Sequence, residues 1–283
     1  MQVNTSGPLA RKHNVQVYGS GDKVMVFGHG FGTDHTVWQR IIPGLVREFT
    51  CVAFDHACAS SLTGENFDFE RYSTIHGYAD DLLNLLAELG MQSCIYVGAS
   101  LGANVGMLAS IEAPHLFERL IAICGAPGYI YKPEEGFEGP FRLEDLDVVF
   151  SAMQDNYLSW VAGFAPRAIV EDNSEAIDEF ARGLVQLRPD VAISTARTSF
   201  LTDFRDALPL VQVPCVLLQG REDHAVPEHI TVYMASRLKE CTYEILPTKG
   251  HLPHISGAPY VLAAVRKHLG LSTSHVAMND MMC

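Results

Sequence analysis

Short apolar runs alternate along the chain with stretches whose apolar residues recur every three or four positions. Glycine, proline or polar turns bound each run, as is typical of buried strands; the runs are KVMVFGHG, TCVAFD, SCIYVGAS, RLIAIC, VPCVLLQG and TYEIL. An earlier run, HNVQVYGSG, predicts an edge strand. Between the runs, YADDLLNLLAELG predicts a helix that ends at Gly90, and Pro259 begins a helix that Gly270 ends. This alternation predicts an α/β fold whose mostly parallel sheet is covered by helices on both faces.

The alternation breaks between residues 127 and 196, where helical spacing continues without a strong strand. The apolar residues that recur at three and four positions in this stretch are Phe150, Met153, Tyr157, Trp160 and Phe164. We expect this insertion to form a helical lid over the carboxyl edge of the sheet. The predicted core is then residues 1–126 and 197–283, with a disordered tail over residues 271–283.

Composition narrows the possible functions. The 283 residues include 48% hydrophobic residues, which excludes global disorder and suits one large domain with an insertion. The 20 basic and 33 acidic residues give a net charge of −13, which disfavours nucleic acid as a partner. The chain contains no apolar run long enough to span a membrane, and its first residues do not resemble a secretory signal.

Seven cysteines are scattered without C-x-x-C spacing, which argues against a disulfide framework and against a zinc site. We therefore expect a reducing compartment, the cytoplasm or the nucleus. No metal or cofactor is expected, and we expect a monomer.

The sharpest chemical signal is the motif Gly98-Ala99-Ser100-Leu101-Gly102, which follows a strand run and opens a helix of small residues. In this context G-x-S-x-G forms a nucleophile elbow, a strained turn that exposes the serine oxygen at a helix N-terminus. The alternative is a glycine-rich turn with an ordinary N-cap serine. Ser100 therefore becomes the candidate nucleophile for acyl transfer from an ester, lactone or related carbonyl.

A nucleophilic serine needs a base and an orienting acid, and in this topology both follow late strands in the order serine, acid, histidine. Asp223 follows VPCVLLQG and His251 follows TYEILPTKG, so these two residues are the candidates. Glu222 and His254 are their neighbouring rivals. The alternatives for the candidates are a turn carboxylate and a surface-loop histidine.

A glycine-rich loop, GHGFG, follows the first long strand, and in such folds this loop supplies an oxyanion donor. We assign the oxyanion hole to the backbone N–H groups of Phe31 and Leu101. His29 lies in the same loop and is interpreted as structural, bonded to local backbone. The G-x-G-x-x-G spacing of a dinucleotide site is absent from the run GHGFGTDH.

Five segments resemble the plant karrikin and strigolactone receptors, which are α/β-hydrolases: GHGFGTDHTVW, YADDLLNLLAELG, YVGASLGANVGMLASI, VFSAMQDNYLSWVAGFAP and GHLPHIS. The resemblance spans roughly residues 12–270, and a bacterial stress-signalling hydrolase of the RsbQ type shares the pattern. It implies a butenolide receptor that is also a slow hydrolase with the triad Ser100, Asp223 and His251. It implies partners too, namely a small apolar butenolide-type ligand, an F-box protein and repressor proteins.

The family's pocket aromatics fall on Phe31, Tyr129, Trp160, Phe164 and Phe200. Phe141 is a further pocket candidate, in the lid entry YIYKPEEGFEGPFR, which departs from the family pattern. The elbow departs as well, since the family has histidine where this chain has Ala99 and Val-Ser where it has Leu101-Gly102. We interpret Phe150 as lid core.

Three hypotheses remain at this point. The first is a receptor-hydrolase for butenolides, and the second is a metabolic esterase or lactonase without a signalling partner. The third is a ligand-binding module that has lost turnover. The complete triad argues against the third, and the lid resemblance argues against the second.

Overall fold

The computed structural model describes residues 3–62 and 67–272. Its main sheet has seven strands in the order β1-β3-β2-β4-β5-β8-β9. Their bounds are β1 Gln16–Tyr18, β2 Lys23–Gly28, β3 Phe49–Phe54, β4 Cys94–Ala99, β5 Phe117–Ile123, β8 Cys215–Arg221 and β9 Cys241–Lys249. β1 pairs antiparallel with β3 at one edge, and all the other pairings are parallel. The predicted α/β-hydrolase fold class, with its mostly parallel sheet, is confirmed.

The central strands are buried on both faces, which explains why they read as continuous apolar runs rather than alternating ones. In β2, Met25 and Phe27 contribute to one apolar cluster, whereas Val24 and Val26 contribute to a second cluster on the opposite face. Helices cover both faces: α1 Pro8–Lys12, α2 Ile75–Glu88, α3 Leu101–Glu112, α8 Glu228–Ala235, α9 Pro253–Ser256 and α10 Ala258–His268. None of the helices in the described residues is long and apolar enough to cross a lipid bilayer.

Between β5 and β8 the chain forms four consecutive helices: α4 Leu143–Asp155, α5 Tyr157–Ile169, α6 Ser174–Val185 and α7 Pro189–Phe200. A two-stranded hairpin precedes them, formed by β6 Tyr131–Lys132 and β7 Phe137–Glu138. The sequence did not predict this hairpin, because two-residue strands leave no apolar alternation to detect. Helix α7 also extends four residues past the lid boundary that we drew at 196. Most of the predicted disordered tail, residues 273–283, lies outside the described residues.

Candidate active site

Ser100 occupies the sharp turn between β4 and α3, with φ 50° and ψ −116°. Such a backbone conformation costs a non-glycine residue about 1–3 kcal/mol, so the surrounding structure must hold it in place. The glycines of the motif permit that packing. A Cβ on Gly98 would lie 2.5 Å from the carbonyl oxygen of Gly102, and one on Gly102 would lie 2.4 Å from that of Gly28. The motif spacing is therefore a requirement of close backbone approach.

The structure brings Ser100, His251 and Asp223 into one hydrogen-bonded chain. Nε2 of His251 lies 2.8 Å from Oγ of Ser100, and Nδ1 lies 2.8 Å from Oδ2 of Asp223. The three residues follow β4, β9 and β8, so the carboxyl ends of parallel strands at one edge of the same sheet position them. With Nδ1 donating to the carboxylate, Nε2 is free to accept the serine proton, which is the tautomer a general base requires.

Both carboxylate oxygens of the buried Asp223 accept hydrogen bonds. Oδ1 accepts from the backbone N–H groups of Ala225 and Val226, both at 2.9 Å, and Oδ2 also accepts from Nε2 of Gln219 at 2.9 Å. Burial by itself would raise the pKa of this carboxyl, but the charge of His251 and these hydrogen bonds bring it below the usual value. The carboxylate is therefore ionised when it orients the imidazole.

Sequence reasoning missed Gln219, which lies on β8 within an otherwise apolar run. Its Oε1 accepts from Oγ1 of Thr231 at 3.0 Å, and this contact orients the amide toward Asp223. One signal was available: a polar residue in a fully buried strand needs a partner, and Gln219 is four residues before the acid.

The loop that carries His251 is attached to the end of helix α5. The backbone N–H of His251 donates to the carbonyl of Ala168 at 2.7 Å. Gly250 adopts φ +82°, and a Cβ there would lie 2.0 Å from the carbonyl oxygen of Ile169. Only glycine combines this left-handed conformation with so close an approach to α5.

The rival residues occupy different environments. Glu222 is exposed and pairs with Nζ of Lys249 at 2.8 Å, with its side chain outside the hydrogen-bonded chain. His254 is completely buried and stacks on Trp38, with ring centroids 5.1 Å apart. His29 is also buried: Nδ1 lies 2.8 Å from the Gly30 carbonyl and Nε2 accepts from the backbone N–H of His56 at 2.8 Å.

The two residues assigned as oxyanion donors belong to segments that adjoin Ser100. Leu101 is the first residue of α3, where a backbone N–H has no partner within its own helix. Phe31 belongs to the loop after β2, and this loop touches the elbow: a Cβ on Gly30 would lie 3.2 Å from Cβ of Ser100. The position of the two donors suits an oxyanion that forms on a carbonyl carbon bonded to the serine oxygen.

A cavity of about 400 Å³ lies above Ser100 and reaches under the four helices α4 to α7. All five aromatic residues that the resemblance assigned to the pocket line this cavity: Phe31, Tyr129, Trp160, Phe164 and Phe200. The rings of Trp160 and Phe164 stack at 4.7 Å, and those of Tyr129 and Phe200 meet edge to face at 5.4 Å. The walls are therefore mainly apolar, with Ser100 and His251 among the few polar groups.

Phe141 lines the cavity as well, whereas Phe150 is fully buried in the lid core. Sequence reasoning missed Phe180, whose ring lies 5.9 Å from that of Phe164, and it missed the cation Arg167. Arg167 had a signal, since it follows Trp160 by seven residues and Phe164 by three, which places all three on one face of α5.

Two clusters within the described residues have side chains of metal-ligand type, and both are engaged in hydrogen bonds. One joins Cys124 to Asp223 and His251, and burial raises the pKa of the Cys124 thiol. The other joins Asp34, His35 and Asp55, in which Oδ1 of Asp55 lies 2.8 Å from Nδ1 of His35. Neither cluster calls for a metal to satisfy it.

Comparisons with known proteins identify the family of the chain. The sequence model of the α/β hydrolase family matches residues 25–265. A strigolactone esterase of Pisum sativum is 44% identical over 90% of this chain and 95% of its own length. A karrikin insensitive 2 receptor of Petunia hybrida is 41% identical over 93% of this chain and 97% of its own.

Among solved structures, a hydrolase from Oleispira antarctica has a TM-score of 0.89 at 26% identity, covering 94% of this chain and 97% of its own. An enol-lactonase from Burkholderia xenovorans has a TM-score of 0.76 at 17% identity, over 90% of this chain and 95% of its own, and shares the fold.

Proposed function

The chain belongs to the α/β-hydrolase family, together with the plant strigolactone esterases and karrikin receptors, and from that premise we propose a butenolide receptor with slow serine-hydrolase activity. The observation that carries the proposal is the hydrogen-bonded chain from Ser100 through His251 to Asp223, which lies at the floor of an aromatic cavity. An apolar cavity with few polar groups suits a small ring whose carbonyl is its main polar feature.

In the proposed reaction, Oγ of Ser100 attacks the carbonyl carbon while Nε2 of His251 takes the serine proton. The negative charge that develops on the carbonyl oxygen is stabilised by the backbone N–H groups of Phe31 and Leu101. The ionised Asp223 stabilises the imidazolium, which then protonates the leaving oxygen. Water, activated by the same histidine, hydrolyses the acyl-serine and restores the free enzyme.

The Ser100→Ala variant tests the hydrolase assignment. Hydrolysis of an aryl ester should fall by on the order of 10⁴–10⁶, because the bond-forming atom is gone. The fold should persist, since alanine is smaller than serine and the substitution removes only side-chain hydrogen bonds of the hydroxyl, among them the one to His251. A folded Ser100→Ala protein with near-normal hydrolysis would show that another residue is the nucleophile.

The receptor assignment is tested separately, by turnover and by ligand binding. A metabolic esterase should reach about 1–10 s⁻¹ on its substrate, whereas a receptor is expected to be far slower. Thermal shift with karrikin-like and strigolactone-like butenolides, both stereoisomers, measures binding. At a hundredfold excess over Kd, binding adds about 2.7 kcal/mol of stability. Fast turnover without any butenolide-dependent shift would favour the metabolic esterase instead.

The receptor proposal extends to partners and location. We propose that the liganded protein binds an F-box protein and repressor proteins, as the resemblance implies, in the cytoplasm and nucleus. A pull-down with a purified F-box protein of the plant signalling type, with and without butenolide, measures this. If the F-box protein binds neither with nor without butenolide, the signalling role is excluded and the hydrolase function remains.

A further inference from the structure

The cavity above Ser100 has one permanent cation in its lining. Among the described residues that line it, Arg167 is the only lysine or arginine. Its side chain makes no ion pair and no hydrogen bond with any described residue, although the chain has 33 acidic residues. Some arginines elsewhere are paired, as Arg40 is with Glu175 and Glu179, whereas Arg167 combines an unpaired side chain with a place in the cavity lining. An unpaired guanidinium at the edge of an apolar cavity is a ready partner for an anion.

Arg167 is placed close to the chemistry. It lies in the last turn of α5, on the face that also presents Trp160 and Phe164 to the cavity. The next residue, Ala168, accepts the backbone N–H of His251 at 2.7 Å. A ligand that lies along the two aromatic rings with its carbonyl at Ser100 therefore has Arg167 within its reach.

Asp223, the only carboxylate among the described residues of the lining, does not neutralise this cation. Both oxygens of Asp223 are occupied, by His251, Gln219 and the backbone N–H groups of Ala225 and Val226. The charge of Asp223 is thus directed at the imidazole, and its side chain is fully buried. The exposed edge of the cavity keeps the positive charge of Arg167.

We propose that, besides the neutral butenolides proposed above, the cavity accepts esters or lactones whose apolar body carries a carboxylate, and that Arg167 binds that carboxylate. This inference rests on the proposed serine-hydrolase function and names its substrate class. The planar guanidinium matches a carboxylate with two parallel hydrogen bonds, and the aromatic walls hold the apolar part. The carboxylate itself is unchanged in the reaction: the ester bond breaks, water is consumed, and an acid and an alcohol are released.

A pair of chromogenic esters tests the assignment. The acid 4-nitrophenyl hydrogen adipate carries the carboxylate, and its neutral counterpart 4-nitrophenyl methyl adipate has the same chain. We expect the ratio of kcat/KM for the acid over the neutral ester to fall about tenfold in Arg167→Gln, mainly through KM, as for loss of a charge-assisted hydrogen bond. Arg167→Lys should recover part of the ratio, and added salt should lower it in the wild type.

Arg182→Gln is the matched control. Arg182 is also an exposed arginine in the last turn of a lid helix, α6, and it does not line the cavity. Arg182→Gln changes the net charge and the helix-dipole interaction as much as Arg167→Gln does. Its ratio of kcat/KM for the acid over the neutral ester should nevertheless stay at the wild-type value. A ratio that is unchanged in Arg167→Gln, or that falls as much in Arg182→Gln, overturns the inference.

Failure of the serine-hydrolase function and failure of the carboxylate site give different results. If the wild type hydrolyses both esters and Ser100→Ala neither, the serine-hydrolase function stands whatever Arg167 does. If the wild type hydrolyses neither, binding of the same two esters is measured by tryptophan fluorescence in Ser100→Ala, with and without Arg167→Gln. Tighter binding of the acid that disappears with Arg167→Gln supports the carboxylate site, and equal binding overturns it.

Discussion

Acid should destabilise this protein through a histidine that sequence reasoning treated only as a rival base. His254 lies on α9, completely buried, and neither ring nitrogen has a hydrogen-bond partner among the described residues. Burial, reinforced by the proximity of His251 and His29, lowers the pKa of His254 to about 3. The ring is therefore neutral in the folded protein throughout the mildly acidic range, where the unfolded chain takes up a proton.

The magnitude follows from the two pKa values. The unfolded chain binds the proton with the ordinary histidine pKa of about 6.5. Above that pH the ring is neutral in both states, and its contribution to the free energy of unfolding is fully present. The contribution is lost as the pH falls from about 6.5 towards the folded pKa of about 3. At about 1.4 kcal/mol for each pKa unit, the change from about pH 7.5 to about pH 5 removes about 2 kcal/mol of unfolding free energy.

His254→Leu is the informative substitution, because leucine has a similar volume and the replaced ring makes no hydrogen bond that would be lost. The free energy of unfolding is measured by urea titration with tryptophan fluorescence near pH 7.5 and near pH 5, inside the window fixed by the two pKa values. The loss between these conditions should shrink by about 2 kcal/mol relative to wild type. The exposed His76, substituted by glutamine, is the control and should leave the loss unchanged.

Equal losses in wild type and His254→Leu would refute the reasoning, since the buried ring would then not be the group whose protonation drives unfolding. His29 and His56 are also buried, and burial lowers the pKa of each. The His254→Leu variant should therefore still lose unfolding free energy between about pH 7.5 and about pH 5. That loss matters, because a typical domain has only about 5–15 kcal/mol of unfolding free energy.

Three further substitutions test the site. Asp223→Asn should lower kcat for ester hydrolysis by about 10⁴, because the amide favours the wrong imidazole tautomer. The control Glu222→Gln should leave kcat near the wild-type value. A large loss in Glu222→Gln with little loss in Asp223→Asn would make Glu222 the acid. Gly102→Ala should cost about 1–3 kcal/mol in urea unfolding, because its Cβ meets backbone oxygens of the β2 loop; full stability would contradict that contact. Trp160→Ala should weaken butenolide binding with little change in unliganded melting temperature, whereas the core control Phe150→Ala should lose about 3–5 kcal/mol. Early melting with normal affinity would make Trp160 a core residue.

The sequence predicted those parts of the molecule in which local chemistry and chain order decide the structure. The strands could be identified because both faces of the sheet are buried, which produces continuous apolar runs. The elbow could be identified because close approach leaves only glycine at positions 98 and 102. Asp223 and His251 could be proposed because parallel strands deliver their carboxyl ends to one edge, so chain order already suggests proximity.

The remainder depends on contacts between distant segments. Gln219 belongs to the site only because Thr231, on another element, holds its amide. Arg167 borders the cavity because α5 packs over the sheet at one rotation, and helical spacing alone does not fix that rotation. The buried environment of His254 follows from its stacking on Trp38, more than two hundred positions earlier in the chain. A single-sequence pattern can mark such a residue, but it does not show which distant segment the residue contacts.

One helix joins ligand recognition to catalysis. Trp160, Phe164 and Arg167 line the cavity from α5, and the carbonyl of Ala168 at the end of that helix binds the backbone N–H of His251 at 2.7 Å. The close approach of Gly250 to α5 makes this junction tight, and packed junctions move as units rather than deform gradually. A ligand that displaces α5 therefore also displaces the imidazole, with its 2.8 Å contacts to Ser100 and Asp223. We therefore expect the contact that positions the base to make its alignment depend on what the cavity holds.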